Sequence, residues 1–230
     1  MDGRLRQPLR DPQVRGAARA GLTLVAVAGF SVFAAAPADP RAEALFDGRS
    51  LAGWVPSGFE GERGVRLERD FEPGRAAIVI EAGTTLAGIT STLGSRLPRM
   101  NYEVAFEAMR VAGGDFFGSL TFPVGNAACT LVLGGWGGTV VGLSNVDGID
   151  ASGNESTRER EFADRRWYRV RVRVTADRVE AWIDADKVVD FPTAGRRLSL
   201  RPGDIQKSLP LGISSYMTKA AVRGITLTRL

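Results

Sequence analysis

Apolar and polar side chains alternate with a period of two along most of the chain beyond residue 38. In Tyr168–Val174 the tyrosine and the valines fall on one side of an extended strand, and three arginines fall on the other. Comparable runs, separated by glycine, proline, aspartate or asparagine, occur at Ala76–Glu81, Ile89–Leu93, Tyr102–Val111, Phe116–Phe122, Cys129–Leu133, Thr139–Leu143, Tyr168–Thr175, Arg178–Ile183 and Val222–Leu227. This pattern predicts an all-β fold, a single-domain antiparallel β-sandwich over residues 39–230.

One hairpin can be predicted in register, because the apolar faces of residues 168–174 and 178–184 must coincide. With Val174 opposite Val179, the pairs on the polar face are Arg173 with Glu180, Arg171 with Trp182 and Arg169 with Asp184. Two interpretations of this face remain open. It is either a solvated face stabilised by complementary pairs, or an arginine row that binds anions or sugars, with Arg171 and Trp182 as candidate substrate-binding residues.

The first 38 residues have the pattern of an export signal. Arginines precede an apolar run at residues 21–36, and a small-residue site for cleavage follows at Ala38. We expect either a cleaved signal peptide or an uncleaved N-terminal anchor, and hence an exported protein in the periplasm, the cell envelope or the medium. Contact with a membrane is expected only through an uncleaved segment.

Charge and residue usage exclude several kinds of partner and chemistry. Five of the 30 basic and two of the 26 acidic residues lie in residues 1–36, which leaves 25 and 24 in the remainder, so no nucleic-acid partner is expected. The chain has no histidine and a single cysteine, Cys129. A histidine general base, histidine-ligated metals and an intrachain disulfide are therefore ruled out, and catalysis has to use carboxylates, hydroxyls, backbone groups or a hard metal.

Three segments resemble the 3-keto-disaccharide hydrolase family. They are the LFDGRSLAGW motif at Leu45–Trp54, the strand and hairpin from Trp167 through AWIDADKVVD, and the pair Leu211–Ile213 and Ala221–Leu227. The resemblance implies an exported concanavalin-A-like jelly roll with a carbohydrate ligand and glycoside hydrolase activity. Residues 114–118 and 129–133 lack the glutamate that family members carry there, so the resemblance assigns no catalytic residue.

Four acids are the candidates for carboxylate acid/base chemistry: Asp115, Asp147, Asp150 and Glu155. The segment Glu68-Arg-Asp70-Phe-Glu72 resembles the E-x-D-x-E strand of laminarinase-type glycosidases. Because Pro73-Gly74 ends that strand at once, we interpret it as an acidic edge strand.

The glycine-rich segment Gly134-Gly-Trp-Gly-Gly138 has no lysine or following helix that would bind a phosphate. Trp136 either caps the core at a tight turn or offers a stacking platform to a sugar, and Phe117 beside Asp115 is a second candidate platform. Both are candidate substrate-binding residues.

The loop after this turn is rich in oxygen-bearing side chains. Asn145, Asp147, Asp150 and Glu155 could together ligate a calcium ion, although their order is not that of an EF-hand. The same composition is typical of an exposed loop with Asx turns. The sequence requires no cofactor and allows calcium. Two functions remain open: a carbohydrate hydrolase, or a non-catalytic module that binds a glycan or another partner.

Overall fold

The computed structural model describes residues 40–230, so the predicted leader at residues 1–38 lies outside the described residues. The strands are β1 Glu43–Ala44, β2 Trp54–Pro56, β3 Val65–Glu72, β4 Arg75–Ile80, β5 Leu86–Ser91, β6 Tyr102–Ala112, β7 Ser119–Val124, β8 Ala127–Gly135, β9 Val140–Ser144, β10 Arg158–Glu159, β11 Trp167–Val174, β12 Arg178–Ile183, β13 Asp186–Pro192, β14 Gly212–Tyr216 and β15 Lys219–Arg229. Two short 3-10 helices occupy Gly94–Arg96 and Asp204–Ser208. No helix within residues 40–230 has the length and apolar character needed to cross a bilayer.

The strands form two antiparallel sheets. The first, sheet A, has the order β13-β12-β11-β6-β15-β4-β3, with β1 paired to β15, and the second, sheet B, has the order β10-β9-β8-β7-β14-β5-β2. Six of the fourteen connections between the described strands join neighbouring strands of one sheet, and the other eight pass from one sheet to the other, as in a jelly roll. The predicted all-β, concanavalin-A-like sandwich is confirmed.

The core lies between the sheets and follows from the period-two pattern. Along β11 burial alternates residue by residue, so Tyr168 and the valines face inward. Cys129 on β8 is fully buried in the same core, and burial raises the pKa of its thiol to about 12. It is therefore a small core residue and not a reactive thiol.

The predicted hairpin register is confirmed. Arg171 lies opposite Trp182 with its guanidinium 4.0 Å from the ring centroid, and Arg173 lies opposite Glu180. The closest ion pairs differ from the expected ones, because the neighbouring strands supply nearer charges. Arg173 contacts Glu103 of β6 at 2.8 Å, and Glu180 contacts Lys187 of β13 at 2.5 Å.

The LFDG…GW motif is a structural element at the start of the domain. The Asp47 carboxylate accepts the backbone N–H groups of Arg49 and Ser50 at 2.7 and 2.8 Å. Trp54 is buried, and its indole N–H donates to the Leu45 carbonyl at 2.8 Å. The motif closes a tight turn and fixes a tryptophan in the core.

The acidic segment Glu68–Glu72 lies on β3, which is an edge strand of sheet A, as predicted. Glu72 accepts hydrogen bonds from the Trp167 indole at 2.8 Å and from Arg223 at 2.6 Å. Burial alone would raise the pKa of the Glu72 carboxyl, but these two donors outweigh burial and lower it. The strand is thus held by structural contacts.

A segment that we call the strap, residues 200–206, crosses the outer face of sheet B. At one end Ser199 exchanges backbone hydrogen bonds with Asn145, directly after β9. At the other end the Lys207 carbonyl accepts the Thr90 hydroxyl of β5 at 2.9 Å. Among the described residues, no backbone hydrogen bond joins the strap itself to the sheet.

Candidate functional site

A cleft of about 390 Å³ lies between the strap and the outer face of sheet B. Its walls combine aromatic rings, charged groups and hydroxyls, which is the usual lining of a small-molecule site. The lining residues are Leu86, Asp115, Phe116, Ser119, Thr130, Val132, Trp136, Ser144, Arg201, Pro202, Asp204, Ile205 and Tyr216.

The floor of the cleft includes Thr130 and Ser144, two members of a row of small and hydroxylated residues. Strand pairing aligns Thr90, Gly212, Thr121, Thr130 and Ser144 across five strands of sheet B. Along each strand, the residue of this row stands next to residues of the buried core, so the row lies on the outer face of sheet B, beneath the strap. The hydroxyls of Thr121 and Thr130 are hydrogen-bonded to each other at 2.9 Å.

Asp115 holds the glycine-rich turn in place beside the cleft. Its two carboxylate oxygens accept the backbone N–H groups of Phe116, at 2.8 Å, and Gly137, at 3.0 Å. Gly137 and Gly138 have φ of 88° and 108°, a region that favours glycine, and a Cβ at Gly138 would lie 3.0 Å from the Gly114 carbonyl oxygen. The glycines therefore let the turn pack closely against the segment that carries Asp115.

Trp136 projects from this turn into the cleft. Its backbone has a positive φ of 50°, and 42% of the residue remains exposed. The Arg201 guanidinium of the strap lies 5.7 Å from the indole centroid. Trp136 is thus a cleft wall and not a cap of the buried core.

The two neighbouring phenylalanines have different positions. Phe116 lines the cleft, with its ring 5.8 Å from that of Tyr216. Phe117, the residue predicted to bind substrate, is fully buried and packs edge-on against Phe162 at 5.1 Å. Its ring lies on the core side because consecutive residues of an extended segment face opposite ways, so Phe116 takes the place expected for Phe117.

Three of the residues predicted for catalysis or calcium anchor the strap. Asp147 accepts the Arg197 backbone N–H at 2.8 Å and the Arg196 guanidinium at 2.7 Å. Glu155 accepts a second nitrogen of Arg196. Asn145 is buried and pairs with Ser199 through its backbone. These contacts join the loop to the segment leading into the strap. The Arg197 backbone N–H, followed by the Arg196 guanidinium, lowers the pKa of the Asp147 carboxyl.

Asp150 lies apart from this anchor. One of its oxygens accepts both the backbone N–H and the hydroxyl of Ser152, and the other is 3.9 Å from Arg201. The four proposed calcium ligands are therefore not brought together. No group of three or more histidine, cysteine, aspartate or glutamate residues suited to a metal ion occurs within residues 40–230.

Arg171 and Trp182 lie on the outer face of sheet A, on the other sheet from the cleft. They stack on one another, and Lys187 lies 5.2 Å from the same indole. Arg171 also lies 3.7 Å from Glu103. The arrangement agrees with a solvated face stabilised by complementary pairs.

The strap residues and the hydroxyl row were not predicted from the sequence. A usable signal was present for the row: Ser119-Leu-Thr121-Phe and Cys129-Thr130-Leu-Val132 place small or hydroxylated residues on the face opposite the core. The row is nearly inaccessible, with Thr121 at 0% and Thr130 at 4% exposure, so that face is covered and not freely solvated. Nothing in Arg201-Pro-Gly-Asp204 marks it as a cleft wall, because its position depends on anchors distant in sequence.

Solved structures with a similar fold include three carbohydrate-related proteins. The Crh5 transglycosylase in complex with NAG has a TM-score of 0.52 at 10% identity, covering 82% of this chain and 83% of that one. A putative glycosyl hydrolase from Parabacteroides distasonis has a TM-score of 0.49 at 13% identity, with 82% and 94% covered. The carbohydrate binding module CBM66 from Bacillus subtilis has a TM-score of 0.48 at 11% identity, with 76% and 95% covered. At such low sequence identity, the similarity to these structures concerns the fold alone.

No curated protein matches the chain in sequence. A family model does, over residues 41–228, and its description is the 3-keto-alpha-glucoside-1,2-lyase-like domain. The match extends over nearly all described residues and includes the LFDG…GW motif at one end and the last strand at the other. The chain therefore belongs to the 3-keto-disaccharide hydrolase family, the family of 3-keto-alpha-glucoside-1,2-lyase-like domains.

Proposed function

We propose that the domain binds a carbohydrate in the cleft on sheet B and acts as a glycan-binding module. The observation that carries the proposal is the combination of the exposed Trp136 ring with the polar wall groups Asp115 and Arg201, in a cleft that holds only one of the four candidate acids, Asp115. An indole face packs against the C–H groups of a sugar ring, and a carboxylate and a guanidinium exchange hydrogen bonds with its O–H groups. Membership of a family named for a glucoside supports the same class of ligand.

Hydrolysis by two carboxylates has less support from the geometry. It needs an acid and a second carboxylate on either side of one glycosidic bond, about 5–5.5 Å or 6.5–9.5 Å apart. Asp147 and Glu155 instead share the guanidinium of Arg196 at the strap anchor. The other carboxylate of the cleft, Asp204, lies 3.5 Å from Lys207.

A second candidate, elimination from a 3-keto glycoside, is favoured by the position of Asp115. A ketone at C3 acidifies the proton at C2, so a single base is enough. The base takes the C2 proton, the C1–C2 double bond forms, the C1–O bond breaks and the leaving alkoxide receives a proton. Asp115 is a cleft carboxylate held in place by two backbone N–H groups, and it could act as that base.

Matched tryptophan variants test the binding proposal. A glycan array and isothermal titration would compare the wild type with Trp136→Ala and with the control Trp182→Ala on the other sheet. We expect Trp136→Ala to weaken binding at least roughly tenfold, about 1.4 kcal/mol, and Trp182→Ala to leave it within about twofold. Equal losses in both variants, or a loss in the control alone, would contradict the assignment to the cleft.

Turnover assays on the same preparations separate binding from elimination. Ordinary and 3-keto disaccharides would be incubated with the wild type and with Asp115→Asn. Binding without turnover supports the module. Turnover of the 3-keto substrate alone, abolished in Asp115→Asn, would instead establish the elimination.

A further inference from the structure

A second cavity lies on the same face of sheet B, beyond the strap. It has a volume of about 480 Å³, and its wall includes Leu200 and Gln206 of the strap. We call it the groove. Its floor includes Pro123 of β7 and Ala128 of β8, which are paired with one another. The groove and the cleft therefore share two strands and one covering segment.

The two cavities follow each other along these strands. On β8 the groove contains Ala128 and the cleft contains Thr130 and Val132, with about 6.8 Å between alternate residues. On β7 the groove contains Pro123 and the cleft contains Ser119, about 14 Å away along the strand. Thr121, between them, is fully buried.

The lining of the groove suits a neutral sugar. Asn126 and Gln206 are exposed, and their amide groups form no hydrogen bond to any other described residue. The Arg99 guanidinium, in contrast, donates to the carbonyls of Gly125 and Ala127. The remaining lining is largely leucine, proline and alanine, so free amides stand beside apolar surface, and Arg99 directs its donors to backbone carbonyls.

The strap between the cavities is attached to its surroundings through backbone groups at its two ends. It has hydrogen-bonded anchors at Ser199 and Lys207, and within residues 40–230 the strap backbone has none to the sheet between them. Near its second anchor the buried hydroxyl of Ser208 has no partner, and neither has that of Ser214, next to Ser119 in the sheet. A polar group left unpaired in this way makes a contact less favourable.

We propose that the ligand of this site is an extended neutral oligosaccharide, with one end in the cleft and the other end, across the strap, in the groove. The inference rests on the proposed binding function of the cleft and extends it to a ligand class. Each cavity alone has the volume of a small-molecule site, so a disaccharide fills the cleft and a longer chain reaches the groove. A chain held at two places gains affinity because its second contact is intramolecular.

The test is a titration of neutral gluco-, xylo- and arabino-oligosaccharides, each in disaccharide and hexasaccharide form. We expect the hexasaccharide of any bound series to bind at least about tenfold more tightly than its disaccharide. Ala128→Trp, which fills the groove, should remove that gain and leave disaccharide binding unchanged. Ala105→Trp, the same substitution on the outer face of sheet A, is the matched control, and Asn126→Trp at the exposed rim of the groove serves if Ala128→Trp does not fold.

The outcomes separate this inference from the proposed function. Equal affinity for short and long chains, or a chain-length gain that survives in the groove variants, overturns the extended site and leaves binding in the cleft intact. If none of the oligosaccharide series binds, both the extended site and the proposed binding function are overturned. If Ala105→Trp removes the affinity gain of the longer chain to the same extent, the assignment of that gain to the groove is also contradicted.

Discussion

Asp147 joins the loop after β9 to the segment that leads into the strap. Its carboxylate accepts the Arg197 backbone N–H and the Arg196 guanidinium, and these donors, the backbone one first, hold its pKa below the usual value. A carboxyl whose pKa is lower in the folded than in the unfolded state stabilises the fold fully above the unfolded value, near pH 4. That stabilisation is lost as the pH falls through the folded-state pKa.

The lowered pKa of the Asp147 carboxyl gives a prediction for the stability of Asp147→Asn. At pH 7 the variant should be less stable to urea than the wild type, and the difference should shrink as the pH falls below about 4 and the wild-type carboxylate becomes protonated. Urea unfolding at a series of pH values measures it. Asp177→Asn, on the exposed β11–β12 turn, is the control, and a difference for Asp147→Asn that does not change with pH would contradict the assigned role.

At the scale of elements, the strap depends on a glycine in β14. A Cβ at Gly212 would lie 2.7 Å from both the Cβ and the carbonyl oxygen of Ser208, where backbone has to move to make room. Gly212 does not have a positive φ, so alanine there is opposed by this contact and not by backbone strain. The glycine allows Ser208, two residues beyond the strap, to lie directly on the sheet.

Gly212→Ala should therefore displace the strap. We expect the free energy of unfolding to fall by about 1–3 kcal/mol, as for other overpacked sites, with weaker binding in the adjoining cleft. Gly114→Ala is the matched control, because a Cβ there meets no atom within 4 Å, and its effect should stay within about 0.5 kcal/mol. Thermal unfolding and titration of both variants measure the effect, and equal stability of the two would refute the close contact.

The sequence predicts those elements whose partners are near in the chain or whose faces are chemically distinct. The β11–β12 hairpin was predictable in register, because its valine face has only one way to meet the valine and isoleucine face of its partner. The edge position of β3 followed from Pro73-Gly74. The strap was not predictable, since its anchors to Asn145 and Thr90 join residues far apart in sequence.

The candidate site was predicted only in part for the same reason. Asp115 and Trp136 were identified from local composition, and both line the cleft. The oxygen-rich loop after β9 is predicted from its composition as a catalytic or calcium site. In the structure, Arg196, which lies 41 residues beyond Glu155 in sequence, pairs with the Glu155 carboxylate. Composition shows which groups are available, and only the fold determines which of them are already paired.

At the scale of the whole molecule, we propose that the chain is exported. The arginine-bearing start, the apolar run at residues 21–36 and the small residues at Ala36-Pro-Ala38 support a signal peptide, and the family match begins only at residue 41. Expression of the full chain in a bacterium, with cell fractionation and N-terminal sequencing, tests this. We expect a product that begins at Asp39 outside the cytoplasm, and an intact cytoplasmic chain would refute the proposal.

The two anchors of the strap have a consequence for engineering. The ends of the strap are fixed by Asn145 and Thr90, and its middle makes no backbone hydrogen bond to the described sheet. The seven residues between these two attachments can therefore be replaced together. A library randomised at 200–206 would vary both cavities at once while leaving every core residue in place. Selectivity could then be redesigned on this scaffold by grafting, without repacking the sandwich.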